Sequence, residues 1–497
     1  MKRIRARRDG SNRIFAIVEN SIRSQLLGLP AAAAHGRAAG PGYLVDMGVR
    51  VDVVETSSLG DRSYVVADED AVVVIDPQRD IDRVMQLLGE PSPRITHVLE
   101  THLHNDYVTG GLELSRSTGA QYVIPRGDDV GYPARRVGDG DVIDAGGFRL
   151  RVIHTPGHTL EHVSYALSDV SGRSLGVFTG GSMLFDTTGR TDLLGADRAH
   201  ELTVDQYRSV RRLAGELPAE TQVYPTHGFG SFCAAGGQGR DSSTVGEQRA
   251  SNPALTQDEE TFVGGLLATL SAYPAYYEHM GVINRDGPAP VDLSTPAPVD
   301  PGELRRRIEA GEWVIDLRSR TAFAAGHIGG SYGFELSDSF VTYLGWLYAW
   351  GEPLTLIGDD ADQIATARRG LVRIGVDDVR GAATGDIGKL AGELGLRSYR
   401  VADFGELAAE MGRDEVAVLD VRRDEEFRDG HVHKAINIPV HELMRRLDEL
   451  PNGEIWVHCA SGYRASVAAS ILDKYGRATV LVDDNYGAAE ELGLTSR

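Results

Sequence analysis

Residues 314–328 read V-I-D-L-R-S-R-T-A-F-A-A-G-H-I, and residues 418–432 read V-L-D-V-R-R-D-E-E-F-R-D-G-H-V. Asp316, Arg318, Phe323, Gly326 and His327 each recur 104 positions later, as Asp420, Arg422, Phe427, Gly430 and His431. Five spaced identities in one register are improbable by chance, so the C-terminal part of the chain is two copies of one unit. Each copy opens on a short apolar run followed by a polar segment, the pattern of a buried strand that feeds a helix. Two α/β domains with parallel sheets are expected, over residues 297–395 and 396–497.

The chain of 497 residues is too long for these two units alone, and about 100–200 residues per domain leaves room for one more ahead of them. From residue 50, V-R-V-D-V-V-E alternates and A-V-V-V-I-D-P is a short apolar run, both strand patterns. Strand-then-loop recurs at I-T-H-V-L-E-T-H-L-H-N-D-Y, R-L-R-V-I-H-T-P-G-H, S-L-G-V-F-T-G-G and T-Q-V-Y-P-T-H-G, and each loop carries a His or a Gly pair. A layered α/β domain is expected over 47–260, then a helical connector and Pro-rich linker over 261–296. Residues 1–46 start with Lys2, Arg3, Arg5, Arg7 and Arg8 but have no apolar core of a targeting segment, so they read as a flexible extension.

A net charge of −21 argues against nucleic acid or an anionic membrane as partner, and no apolar run approaches the ~20 residues of a membrane span. A cytoplasmic protein acting on small molecules fits these properties, and association into a homo-oligomer is compatible with them. The two cysteines, Cys233 and Cys459, make no disulfide framework. Cys233, in G-S-F-C soon after His227, reads as a buried inert thiol, against the alternative of a thiol that senses or contacts substrate.

Cys459 is different. E-I-W-V-H-C-A-S-G-Y-R-A-S runs from an apolar strand through a loop into a helix. Inward-pointing amides of Ser461, Gly462 and Tyr463, the helix N-terminus and Arg464 would all favour the nucleophilic thiolate. Four residues separate Cys459 from Arg464, one fewer than a phosphate-sized loop needs, and the smaller ring suits a single sulfur held as a persulfide. With D-V-R-x-x-x-E-F, G-H-V and A-I-N-I-P upstream, residues 398–497 resemble the rhodanese family of sulfurtransferases. The resemblance implies Cys459 as sulfur carrier, stabilised by Arg464 and the loop amides. The first copy resembles rhodanese too, but Gly358 stands opposite Cys459 and Gln363 opposite Arg464, and Asp359, Asp360 and Asp362 make its loop anionic. It is expected to be a silent packing or docking module.

His102, His104, His158 and His227 all fall in loops after strands, where imidazoles gather to bind metal. With V-V-I-D-P, T-H-x-H-x-D, H-T-P-G-H-T and P-T-H-G, residues 49–256 resemble the metallo-β-lactamase superfamily, which implies an αββα sandwich with metal at one edge. S-L-G-D-R-S-Y, G-R-T-D-L and E-Q-R-A-S-N-P-A-L narrow the resemblance to persulfide dioxygenases and their rhodanese fusions. That implies one Fe(II) on His102, His158 and an Asp. The Asp position is Gly181 here, and Tyr107 stands where a second-metal His would be. His104 could fill the gap, giving His102, His104 and His158, a set that holds iron or zinc. Asp106 and His227 would then stand behind the ligands or on the substrate side. Arg190 is matched to the arginine of G-R-T-D and is a candidate for holding an anionic substrate, against the alternative of an ordinary salt bridge.

The expected function is metal-dependent oxidation of a low-molecular-weight persulfide, such as glutathione persulfide, to sulfite, with Cys459 passing sulfane sulfur to or from glutathione or thiosulfate. Three alternatives stand beside it. The metal domain is silent and sulfurtransfer is the whole activity; the metal is zinc and the enzyme hydrolyses thioesters; or the fusion is a non-enzymatic persulfide-responsive binding protein.

Overall fold

The structure is a computed structural model and describes residues 43–44, 48–228, 230–235 and 240–496. The extension expected over 1–46 lies outside the described residues except for Tyr43–Leu44, which form a strand antiparallel to Arg50–Val51. The ordered sheet therefore begins earlier than the sequence pattern indicates.

The N-terminal domain stacks two sheets. Seven strands, in chain order from Tyr43–Leu44 to Arg135–Val137, form the first. The second has five, ordered Gln222–Pro225, Ser174–Gly180, Val163–Asp169, Phe148–His154 and Val142–Asp144. Side chains alternate across each strand, so Phe148, Leu150 and Val152 point inward and meet Tyr64, Ile75 and Leu99 from the facing sheet. Outside the first sheet, helices Asp82–Leu88 and Gly111–Thr118 bury Val84, Leu112 and Leu114. Outside the second, Ala199–Glu216 and Glu259–Thr269 bury Val210, Leu213, Phe262 and Leu266. This is the αββα sandwich that the resemblance implies. The helix Glu259–Thr269 completes its outer layer, so part of the expected connector belongs to the domain.

Both C-terminal sheets are parallel. The first runs Tyr332–Gly333, Trp313–Asp316, Leu354–Gly358, Val379–Thr384. The second repeats that order as Ile436–Asn437, Val416–Asp420, Glu454–His458, Thr479–Val482 and adds Arg400–Ala402 at the edge. The five recurring residues build the same joint in each copy. Arg318 grips Asp316 with two nitrogens and donates to the Gly326 carbonyl at 2.9 Å; Arg422 grips Asp420 and donates to Gly430 at 2.7 Å. His327 stacks on Phe323 and His431 on Phe427, both at 4.0 Å between ring centroids. A buried guanidinium with a bidentate carboxylate is geometrically specific, and it ties the strand end to the turn after the next helix.

One apolar cluster crosses all three domains, from Leu59 and Tyr107 through Tyr276 and Phe340 to Leu481. Ion pairs cross the boundaries as well: Arg79 with Asp377, Arg373 with Asp80, and Arg320 with Asp483. Among the described residues, no helix is long and apolar enough to cross a membrane.

Candidate metal centre and cysteine loop

The strand Ile95–Leu99 delivers Thr101, His102, His104 and Asp106 to a buried loop at one edge of the sandwich. His158 arrives after Phe148–His154, and His227 after Gln222–Pro225. The nitrogens of His102, His158 and His227 lie within 4.8 Å of one another. In each, Nδ1 has a protein partner and Nε2 is buried without one.

Those partners fix the tautomers. His158 Nδ1 lies 2.7 Å from the Arg190 carbonyl, which only accepts, so Nδ1 carries the proton. His102 Nδ1 meets the Thr101 hydroxyl at 2.9 Å, and that hydroxyl already donates to Asp76 at 2.7 Å. His227 Nδ1 faces Asp61 at 3.0 Å and Asp106 at 3.2 Å. Three Nε2 atoms are thereby turned toward one point, the outer hydrogen bonds that imidazole ligands to a metal characteristically make. Burial, and the neighbouring His104, hold His102 well below the ordinary imidazole range. Burial, followed by His227, pushes His158 down to about 3. Burial opposes charge on His227 too, but the Asp106 and Asp61 carboxylates outweigh it and raise it to about 9. Asp61 is pushed up to about 7 by burial and by Asp106. The donor set fits a single transition-metal ion.

The grouping differs from the expected His102, His104 and His158: the structure places His227 beside His102 and His158. His104 turns its Nε2 to Glu100 at 3.2 Å, Asp76 at 3.3 Å and the Tyr107 hydroxyl at 3.0 Å. Its Nδ1 is left facing Asp106 at 4.0 Å, and His104, Asp106 and His227 form a second grouping. Burial opposes its charge, but Asp76 and Glu100 hold His104 well above the ordinary range. Tyr107 stacks on the His104 ring at 4.3 Å and donates to the Asp76 carbonyl at 3.2 Å, so it supports His104 from behind.

Gly181 sits against His158: a Cβ there would lie 2.2 Å from His158 Cδ2. Its amide donates to His162 Nε2 at 3.0 Å. The backbone at the missing-carboxylate position is therefore pinned close to the imidazole. The Arg190 guanidinium binds Asp192 through two nitrogens, at 2.7 and 2.8 Å, and donates to the Phe232 and Ser271 carbonyls. This is the salt-bridge alternative; the residue's main-chain oxygen is what touches the site.

In the second copy, the loop from Cys459 enters the helix Tyr463–Lys474 through Gly462, which has φ of 89°. A Cβ at Gly462 would lie 1.9 Å from Asp483 Oδ1. Cys459 is buried, Ser461 is exposed, and Tyr463 donates to the Glu335 carbonyl of the first copy at 3.2 Å. Arg464 forms a forked pair with Glu426 at 2.5 and 2.8 Å. In the first copy, Gln363 fills the corresponding space, accepting from Asp359 N at 2.7 Å and donating to Leu317 O at 3.0 Å, while Asp360 caps the helix. That loop is closed on itself. Cys233 is fully buried, 3.8 Å from the Tyr277 hydroxyl, and burial pushes its thiol well up.

A cavity of about 830 Å³ opens between the domains, lined by Arg190 and Phe232 on one side and by Arg423, Glu426 and Arg464 on the other.

Several site residues carry no assignment from the sequence alone. Asp61 and Glu426 lie inside the quoted S-L-G-D-R-S-Y and D-V-R-x-x-x-E-F motifs, which is the signal that could have found them. Asp76, at the end of V-V-I-D-P, has a positive φ of 51° and accepts from Thr101 and Thr226. No local pattern marks those partners.

A model of the metallo-beta-lactamase superfamily matches residues 61–227. A model of the rhodanese-like domain matches residues 403–486, within the second copy. The human protein "Persulfide dioxygenase ETHE1, mitochondrial" is 32% identical over 264 residues, 53% of this chain and 89% of its own length. A hydroxyacylglutathione hydrolase from Idiomarina loihiensis is 29% identical over 185 residues, 36% of this chain and 66% of its own. Among solved structures, a metallo-beta-lactamase from Staphylococcus aureus subsp. aureus COL aligns with a TM-score of 0.62 and 28% identity, covering 68% of this chain and all of that one.

Proposed function

Because this chain belongs to the persulfide dioxygenase family of the metallo-beta-lactamase superfamily and carries a C-terminal rhodanese-like domain, we propose that it oxidises a low-molecular-weight persulfide to sulfite and relays sulfane sulfur through Cys459. It is an enzyme of sulfur metabolism. The finer reading is a persulfide such as glutathione persulfide, dioxygen and water giving sulfite, the free thiol and two protons. The observation that carries it is the convergence of three buried, unpartnered imidazole nitrogens, from His102, His158 and His227. Those residues would hold the metal, with Fe(II) favoured over Zn(II) because the reaction needs a redox-active ion. Iron supplies the one-electron chemistry that lets dioxygen react with a persulfide sulfur.

The chain's own residues set the conditions for that chemistry. Asp76, through Thr101, and the Arg190 carbonyl hold protons on the far nitrogens of His102 and His158, leaving the near lone pairs free. The pinned Gly181 backbone contributes no carboxylate, so three imidazoles leave the site one positive charge richer than two imidazoles with an aspartate would. That favours an anionic persulfide close by. At the other centre, the amides of the Cys459 loop and the start of a 12-residue helix supply positive potential to a persulfide anion. The forked Glu426 pair holds the Arg464 guanidinium beside that loop. One cavity is lined by Arg190, whose carbonyl holds His158, and by Arg464 at the end of the Cys459 loop.

The test is O₂ uptake on adding glutathione persulfide to anaerobically purified, Fe(II)-loaded protein. Uptake is expected, and is expected to vanish in His158→Ala. No uptake at full iron occupancy would overturn the dioxygenase reading and leave sulfurtransfer through Cys459 as the activity.

A further inference from the structure

The segment 102–109 that carries His102, His104 and Asp106 contains no helix or extended strand. Its own backbone does not fix its shape, so its conformation depends on the groups that bind it from outside. Three of those bonds come from one side chain. Asn284, in the helix Tyr277–Asp286 after the sandwich, donates to the His104 carbonyl and the Tyr107 carbonyl, both at 2.8 Å, and accepts from Thr109 N at 2.9 Å. It is fully buried.

A fourth bond comes from the silent copy. Val108 N donates to the Arg373 carbonyl at 2.7 Å, at the end of helix Ala361–Arg373. The neighbouring loop after Asp76 is gripped by the same copy. Arg79 pairs with Asp377 through two nitrogens at 2.7 and 2.9 Å and donates to the Val372 carbonyl, and Asp80 takes Arg373 at 2.6 Å. These two loops place Asp76, which orients His102 through Thr101, and Asp106, which faces His227 Nδ1.

We infer that Asn284 and the silent copy are positioning elements for the metal centre: they hold the 102–109 loop in the shape that aims His102 and Asp106. The inference rests on the metal-binding reading above and goes beyond it, since it gives the silent copy a role in the neighbouring domain's site. A carboxamide suits that role because it offers two donors and an acceptor at once, matching two carbonyls and an amide of one loop.

The experiment is Co(II) titration of the full chain, read by ligand-field absorption, for wild type, Asn284→Asp, Asn284→Ala and Asp377→Asn. Thermal unfolding and thiosulfate:cyanide sulfurtransfer by Cys459 are followed alongside. Asn284→Asp keeps the acceptor for Thr109 N and removes the donors, and should weaken Co(II) binding roughly 10–100-fold with shifted bands while sulfurtransfer is retained. Asp377→Asn, at a half-exposed carboxylate, should weaken it by a smaller factor without emptying a buried position, and decides the matter if the Asn284 variants do not fold. Wild-type affinity and bands in every folded variant would overturn this inference. A wild type that binds no Co(II) would instead overturn the metal reading beneath it.

Discussion

His158 Nδ1 and the Arg190 main-chain oxygen stand 2.7 Å apart, and this one hydrogen bond leaves the His158 Nε2 lone pair facing His102 and His227. The residue that the sequence offers for its guanidinium thus acts at the site through its backbone. Its side chain is taken by Asp192.

The grouping of His102, His158 and His227 separates two ligand sets by mutation. His227→Ala should cost more metal affinity than the roughly 10–100-fold typical of losing an outer hydrogen-bond partner. His104→Ala should fall within that outer-partner range, because its Nε2 is bound to Asp76, Glu100 and Tyr107. Metal content after dialysis against a chelator measures both. Equal losses would favour the set that contains His104.

Restoring the missing carboxylate should fail. In Gly181→Asp the new Cβ would start 2.2 Å from His158 Cδ2, and the amide bond to His162 resists backbone movement. Overpacking of this kind costs about 1–3 kcal/mol, so the melting temperature should drop and metal retention should fall with it. A variant that melts at the wild-type temperature and binds iron more tightly would show that the site can open.

Cys459→Ser should abolish thiosulfate:cyanide sulfurtransfer while leaving persulfide-dependent O₂ uptake in place. Gly462→Ala keeps the thiol but should lose most of the same activity. Its φ of 89° strains any side chain, and a Cβ would lie 1.9 Å from Asp483 Oδ1, an oxygen that Arg320 holds at 2.8 Å. A non-glycine residue in such a conformation costs roughly 1–3 kcal/mol. Retained sulfurtransfer in Gly462→Ala would mean that the loop is not held as described.

The Glu426–Arg464 pair gives the fold a defined response to acid. Burial opposes ionisation of Glu426, but Arg464 outweighs it and lowers the group from 4.5 to about 2. A carboxyl with a lower value folded than unfolded binds fewer protons in the native state. Its contribution is therefore complete above about pH 4.5 and is lost as pH falls toward 2. Urea midpoints measured from pH 6 to pH 2.5 should show a shallower acid slope in Glu426→Gln than in wild type. Parallel slopes would show that the pair adds nothing to acid stability.

The duplication, the strand-loop placement of every candidate histidine and the Cys459 loop were legible in the sequence, because each is a pattern of residue types and spacings written along the chain. Hydrophobic period marks strands, and a Cys-to-Arg interval sets the size of a loop wherever the loop sits. Which imidazoles converge was decided only in three dimensions. His104 and His227 look alike as letters, but Asp76, Glu100 and Tyr107 turn one ring into an acid pocket, while Asp61 turns the other toward His102. Arg190 spends its charge on Asp192 for the same kind of reason. Asn284 falls in the 261–296 stretch that reads as connector and Pro-rich linker, yet it is fully buried and binds a loop about 180 residues away in the chain. Partners for buried polar atoms are chosen by proximity after folding, and proximity between distant segments leaves no mark on local sequence.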